Sequence, residues 1–135
     1  MAPHANVFVA EDDPKWLELI KDKLEAAGHS YAGEATTREE AIRQIPTFRE
    51  KNINVVILGG NLGDFVFGGD SPDNDSVVML KAMREAGYEE LPTIGLSGVE
   101  LTGVTVDLGK MEVSQLGETV TVNLGTVLEY PTVML

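Results

Sequence analysis

The sequence contains no cysteine and few basic residues, and each shortage excludes a class of protein. Without cysteine, the chain can form neither a disulfide nor a thiolate metal site. Only 10 Lys and Arg residues stand against 22 Asp and Glu residues, which gives a formal net charge of −12. Binding to a phosphate backbone depends on clustered Lys and Arg, so nucleic acid is not an expected partner.

Long apolar runs are also missing. Apolar stretches such as Val55 to Leu58 are far shorter than the roughly 20 residues that a membrane-spanning helix needs. The first residues show no basic region followed by an apolar one, which is the pattern of a secretion signal. We therefore expect no membrane insertion and a cytoplasmic location.

The length and the apolar content fit one domain. The chain has 135 residues, of which 43% are hydrophobic, and a chain of this size buries roughly two-thirds of its unfolded surface. We expect a single domain over residues 1–135, with its core within about residues 6–128.

Short apolar segments alternate with segments of helical periodicity. Strands are predicted at 6–10, 30–35, 53–58, 92–97 and 104–108, and helices at 14–27, 37–51 and 75–86. This alternation is typical of a parallel sheet with helices on both faces. The ligands of such sheets bind at the carboxyl ends of the strands, so the functional residues are expected there.

Capping residues mark the helix boundaries. Asp13 and Pro14 fit the N-cap and first position of the first helix, and Thr37 and Asp75 fit the caps of two later helices. Pro46 predicts a kink or restart in the second helix because it has no amide hydrogen. The apolar residues of the third helix that are expected to face inward are Val77, Leu80, Met83 and Ala86.

The C-terminal segment fits two structures. One helical face is formed by Val113, Leu116, Val120, Leu124 and Val127, whereas residues 120–124 alternate as a strand would. Gly117 and Gly125 disfavour a helix. We favour the helix.

Acidic, glycine and polar residues follow the predicted strand ends. They are Glu11-Asp12-Asp13, Gly59-Gly60-Asn61, Ser97-Gly98 and Gly109-Lys110. With the strands before them, they resemble the receiver domain of two-component response regulators over about residues 6–120. The resemblance implies a three-layer α/β sandwich with five parallel strands in the order 2-1-3-4-5. Because Lys110 follows Ser97 by only 13 positions, the fourth helix of the family is expected to be shortened or missing.

In receivers, two adjacent acids after the first strand hold Mg²⁺, and Glu11 and Asp12 stand at those positions. An aspartate at the end of the third strand normally accepts the phosphoryl group, but Gly59 stands there. Glycine has no carboxylate to phosphorylate, so we interpret the chain as a pseudo-receiver with no catalytic residue. It is expected not to be an enzyme, and Mg²⁺ is the only cofactor that the resemblance suggests.

Three further positions match the receiver pocket. Asn61 follows the third strand, Ser97 matches the hydroxyl residue that contacts the phosphoryl group, and Lys110 matches the lysine that reaches it. The residue after that lysine is commonly a cis-proline, whereas this chain has Met111, for which a trans bond is expected. In the vacated pocket, Lys110 is predicted to pair with Glu11 or Asp12.

The resemblance favours a stand-alone signalling protein that binds a protein partner without aspartyl phosphorylation. That partner would be a kinase, a phosphotransfer protein or an output protein, and Trp16, beside the acidic residues, is a candidate contact. A homodimer through the apolar residues 130–135 is a further interpretation. Two alternative functions stay open: a phosphorelay receiver with a displaced acceptor such as Asp64, and a small-molecule module of the flavodoxin type.

Overall fold

The computed structural model describes residues 5–59, 75–88, 90–96, 104–108 and 110–120. Of residues 75–77 and 110–112 it describes the backbone alone. These ranges contain a five-stranded sheet and helices on both of its faces.

Five parallel strands form one sheet in the order β2-β1-β3-β4-β5. The strands are β1 (Asn6–Ala10), β2 (Ser30–Ala35), β3 (Val55–Leu58), β4 (Thr93–Gly95) and β5 (Val106–Asp107). The sequence prediction of five parallel strands in the order 2-1-3-4-5 is therefore confirmed.

Helices connect the strands. They are α1 (Pro14–Ala26), α2 (Arg38–Gln44), which continues as a 3₁₀ turn at Ile45–Thr47, and α3 (Asp75–Glu85). A 3₁₀ helix at Lys110–Gln115 leads directly into α-helical residues 116–120, and we call residues 110–120 the C-terminal helical segment. The predicted C-terminal helix is confirmed over these residues, while residues 121–135 lie outside the described part of the chain.

Side-chain caps mark the starts of α1 and α2, whereas the predicted end of the second helix near Lys51 is wrong, since it ends in the 3₁₀ turn Ile45–Thr47. The Asp13 carboxylate accepts a hydrogen bond from the Lys15 backbone N–H at 2.9 Å. The Thr37 hydroxyl accepts one from the Glu40 N–H at 3.1 Å. Each bond satisfies a donor that the helix itself leaves without a partner. Pro46 lies in the 3₁₀ turn, where the predicted restart occurs.

Alternate residues of the central strands supply two cores, one on each face of the sheet. Val7 and Val9 of β1 face the core beneath α1, whereas Phe8 and Ala10 face the core beneath α2 and α3. The same alternation continues in β3 with Val55 and Ile57 on the first face and Val56 and Leu58 on the second. Residues 7–10 of β1 and all of β3 are buried on both faces, which is why they are apolar rather than alternating with polar residues.

The predicted inward face of α3 is partly wrong. Met79 and Met83 are 0% and 2% exposed, while Ala86 is exposed. Met79 and Met83 lie one helical turn apart and so share a face. Ala86 follows the last helical residue, where Gly87 takes a φ of 90° and turns the chain away.

The connection between β4 and β5 is short. Ile94 pairs with Val106 and Gly95 with Asp107 in parallel register, so the crossover consists of residues 96–105 alone. Parallel strands usually need about a dozen or more residues between them. The predicted loss or shortening of the fourth helix falls on residues 97–103, which lie outside the described residues.

Within the described ranges, no helix is long and apolar enough to cross a membrane.

Gly117 sets the distance between the C-terminal helical segment and α1. A Cβ at this position would lie 2.6 Å from the Ala27 Cβ and 3.2 Å from the Lys23 carbonyl oxygen. Real Cβ atoms do not approach other atoms so closely, so only glycine permits this contact. Leu116 and Val120, both 0% exposed, flank it and enter the core. The glycine that disfavours a helix by its propensity is therefore required by the packing.

We predict that Gly117→Ala destabilises the protein although alanine favours helices by about 1 kcal/mol over glycine. The added methyl group overlaps Ala27, and overpacking of this kind costs roughly 1–3 kcal/mol. Urea unfolding measures the free energy. Ser114→Ala, on an exposed residue of the same segment, is the control. Adding Ala27→Gly should recover part of the loss, and a Gly117→Ala variant that is more stable than the wild type would contradict the packing argument.

Candidate functional site

The candidate site lies where β1 and β3 end side by side. Strand order reverses at this point, because the chain leaves β1 toward β2 on one side and later enters β3 on the other. Ala10 pairs with Leu58 at the last register position, and the Gly59 N–H donates to the Ala10 carbonyl at 2.8 Å. The crevice beside such a reversal is the usual ligand site of an open parallel sheet.

Glu11, directly after β1, turns its side chain into the protein. The residue is 2% exposed, and its backbone N–H donates to the Ala35 carbonyl at 3.0 Å. Its Oε2 accepts a hydrogen bond from the Asp13 N–H at 3.1 Å. A carboxylate is costly to bury unless polar groups face it, and this N–H provides one such group.

Gly59 leaves the space in which the Glu11 carboxylate lies. A Cβ at position 59 would be 2.8 Å from Glu11 Oε1 and 3.3 Å from its Cδ. The Ala10 carbonyl oxygen would be 3.2 Å away. A side chain at position 59 therefore requires the Glu11 carboxylate to move. Position 59, the predicted place of the missing phospho-acceptor, and the Glu11 carboxylate therefore adjoin one small volume.

Asp12 and Asp13 differ from Glu11 in their surroundings. Asp12 is exposed, and Asp13 is the N-cap of α1. The acidic run thus divides into a buried carboxylate, an exposed one and a helix cap. Capping accounts for Asp13, as the sequence suggested, but not for the burial of Glu11.

The predicted magnesium ligands, Glu11 and Asp12, have the right chemistry, since Mg²⁺ binds carboxylate oxygens together with water. Glu11 already uses Oε2 to accept the Asp13 N–H, and Gly59 offers no third carboxylate. Among the described residues, no three or more acidic, His or Cys side chains gather in one group. Magnesium binding at this pair stays a prediction.

The other pocket residues are described only in part. Asn61, Ser97 and Asp64 lie outside the described residues. Lys110 begins the C-terminal helical segment, with only its backbone described, and the peptide bond between Lys110 and Met111 is trans. The predicted pairing of Lys110 with the acids stays a prediction.

Trp16 lies on the first turn of α1, next to the acidic loop, and is partly exposed. A partner protein that binds the acidic loop can therefore contact the Trp16 indole as well. Partly exposed tryptophans are frequent anchors of protein interfaces.

The contact between Glu11 and Gly59 is the feature that sequence reasoning missed. Glu11 matched the receiver pattern and Gly59 departed from it, but no rule of spacing says that the side chain of one lies against the other. The available signal was a long acid at position 11 together with no side chain at position 59.

No family model and no curated protein sequence matches the chain. Solved structures do. The chain is similar to the receiver domain of the hybrid histidine kinase CckA, with 26% identity, a TM-score of 0.65, and 88% of this chain and 98% of that one covered. A CheY-like receiver domain protein from Methanospirillum hungatei JF-1 gives 16% identity, a TM-score of 0.71, and coverage of 96% and 99%.

The anti-anti-sigma factor PhyR from Bartonella quintana gives 20% identity and a TM-score of 0.66. The match covers 98% of this chain and 51% of PhyR, so the chain spans about half the length of that protein. These similarities show that the chain is a receiver-like domain with the CheY-like fold, as the sequence predicted.

We predict that Gly59→Asp costs more stability than Gly59→Asn. Both side chains displace Glu11 by the same volume, but only aspartate adds a second negative charge beside it. Two unit charges about 4 Å apart repel by roughly 4 kcal/mol in a partly buried setting, so a difference of at least about 1 kcal/mol is expected. Urea unfolding at neutral pH and low salt measures it.

Magnesium provides a second comparison for the same two variants. Millimolar Mg²⁺ should reduce the difference between their free energies of unfolding, because a cation relieves the repulsion of the two carboxylates. Equal free energies of unfolding without Mg²⁺ would show that the Glu11 carboxylate does not lie against position 59.

Proposed function

We propose that this chain is a receiver-like signalling protein that binds a protein partner and does not use aspartyl phosphorylation at position 59. The observation that carries the proposal is the contact between Gly59 and the Glu11 carboxylate. Phosphoryl transfer to a receiver needs a carboxylate oxygen as nucleophile at the end of the third strand. Glycine supplies none, and the neighbouring volume already holds a carboxylate.

The buried Glu11 carboxylate supports a fixed state of the pocket. In a phosphorylated receiver, negative charge arrives and leaves with the phosphoryl group. Here, a carboxyl group belongs to the chain itself, at 2% exposure and with an N–H donated to it. We therefore expect the protein to present a single surface to its partner. It would not switch between a phosphorylated and an unphosphorylated surface.

The similar structures support a partner that is a protein. PhyR from Bartonella quintana is an anti-anti-sigma factor, a name that denotes action on another regulatory protein. CckA is a hybrid histidine kinase. For this chain, we propose a kinase, a phosphotransfer protein or an output protein as the partner, in the cytoplasm and with no enzymatic activity of its own.

We predict that the wild-type chain gains no phosphoryl group when it is incubated with acetyl phosphate and Mg²⁺. Intact-mass spectrometry gives the result, and an active receiver domain in the same tube verifies the reagent. A gain of one phosphoryl group would contradict the proposal. Peptide mapping would then decide between Asp64, the displaced acceptor of the alternative function, and Glu11.

A second prediction concerns Trp16 as a partner contact. Cross-linking with mass spectrometry identifies the partner, and calorimetry then gives its affinity for each variant. Trp16→Ala should weaken binding about tenfold or more, as truncation of a central tryptophan commonly does. Lys15→Ala, on the exposed neighbour in the same turn, should have little effect.

Acetyl phosphate and Mg²⁺ should leave that affinity unchanged. Binding that needs acetyl phosphate would contradict a phosphorylation-independent mode. Equal affinities of the wild type and Trp16→Ala, with equal thermal unfolding midpoints, would exclude Trp16 from the interface.

A further inference from the structure

A pocket opens where the strands begin, at the end of the sheet opposite to the candidate functional site. Its floor lies at the amino ends of the last two strands, where Thr93 begins β4 and Thr105 precedes β5. Its volume, including the open mouth, is about 370 Å³. It lies beside the short crossover between β4 and β5.

Two threonines at the floor form a reciprocal pair. The Thr93 N–H donates to the Thr105 hydroxyl oxygen at 2.9 Å, and the Thr105 N–H donates to the Thr93 hydroxyl oxygen at 2.9 Å. The two hydroxyl oxygens are 3.4 Å apart. Thr93 is 4% exposed, so its hydroxyl is held in a fixed place at the bottom of the pocket.

One hydroxyl hydrogen of this threonine pair is not used between the two residues. Each hydroxyl oxygen accepts an N–H from the other residue, so each hydroxyl hydrogen must find an acceptor elsewhere. Only one of the two hydrogens can lie between the oxygens of Thr93 and Thr105. The other can be donated to water or to a hydrogen-bond acceptor inside the pocket, because Thr105 is exposed.

Arg84 supplies positive charge at the pocket wall. It is exposed in the last turn of α3 and lines the pocket. Within the described part of the chain, no carboxylate forms an ion pair with its guanidinium. In a chain with a formal net charge of −12, this is a place where a small anion meets a cation.

The remaining walls are apolar or aromatic. Leu80, Met83 and Leu91 line the pocket together with Tyr88. The Tyr88 ring is held by Phe48, with ring centroids 5.7 Å apart, and by the Arg49 guanidinium, 5.8 Å from the Tyr88 centroid. The accessible parts of these side chains offer limited apolar contact beside a mainly polar pocket surface.

We propose that this pocket binds a small organic carboxylate. The carboxylate accepts the threonine hydroxyl hydrogen and pairs with the Arg84 guanidinium, while its apolar body contacts Leu80, Leu91 and the Tyr88 ring. Ligand sites of this kind combine apolar walls with a few converging polar groups. This proposed binding site does not depend on the function proposed for the carboxyl ends of the strands.

Benzoate is the probe, and benzamide, which has nearly the same shape without the charge, is the matched ligand. The full chain, labelled with ¹⁵N, is titrated with each while the amide signals of Thr93, Thr105 and Tyr88 are followed. Benzoate should produce saturable shifts at these residues. Benzamide should bind at least about tenfold more weakly, because hydrogen bonds to charged groups exceed neutral ones in strength.

Arg84→Gln and Lys81→Gln form the matched variant pair. Both remove one positive charge from exposed positions of α3, but only Arg84 lines the pocket. Arg84→Gln should weaken benzoate binding about tenfold or more, and Lys81→Gln should change it by less than about twofold. If Arg84 serves only to stabilise the end of α3, Arg84→Gln lowers stability and leaves benzoate affinity unchanged.

Three results would overturn the proposal. The first is the absence of saturable benzoate shifts at Thr93, Thr105 and Tyr88. The second is equal affinity for benzoate and benzamide. The third is equal weakening by Lys81→Gln and Arg84→Gln, which would indicate general attraction to basic side chains rather than a built pocket.

Discussion

The need to cover both faces of a parallel sheet governs this molecule. β1 and β3 contribute alternate side chains to two cores, so no buried position in either strand can hold a polar side chain at low cost. Helices must lie on both faces, and polar chemistry is restricted to the strand ends. Glu11 and Gly59 are the first residues beyond the last paired positions of β1 and β3. The location of the candidate site is thus a consequence of how the core is built.

At that location, a residue without a side chain and an inward-facing carboxylate occupy adjoining space. Glu11 Oε1 lies 2.8 Å from where a Cβ at position 59 would be. The two positions are therefore coupled by volume, because a side chain at position 59 requires the Glu11 carboxylate to move.

Local signals made most of the fold predictable. Asp13, Thr37 and Pro46 act through contacts within a few residues, and each acts as the sequence indicated. Contacts between distant segments were not predictable. From sequence alone, Gly117 indicates a helix break, and its close contact with Ala27 is visible only in the structure. In the same way, Met79 of α3 is identified as a core residue only when the sheet beneath it is known. The Glu11–Gly59 contact and the Thr93–Thr105 pair are of this second kind, since each joins residues from separate strand ends.

The short crossover between β4 and β5 bears on how the chain folds. The entropy lost in closing a loop grows with the logarithm of its length, so residues 96–105 make the docking of β5 comparatively cheap. Ile94 and Val106 become neighbours across a small sequence separation, and such contacts speed folding. The contact between β4 and β5 is therefore more local in sequence than that of a parallel pair joined through a full crossover helix.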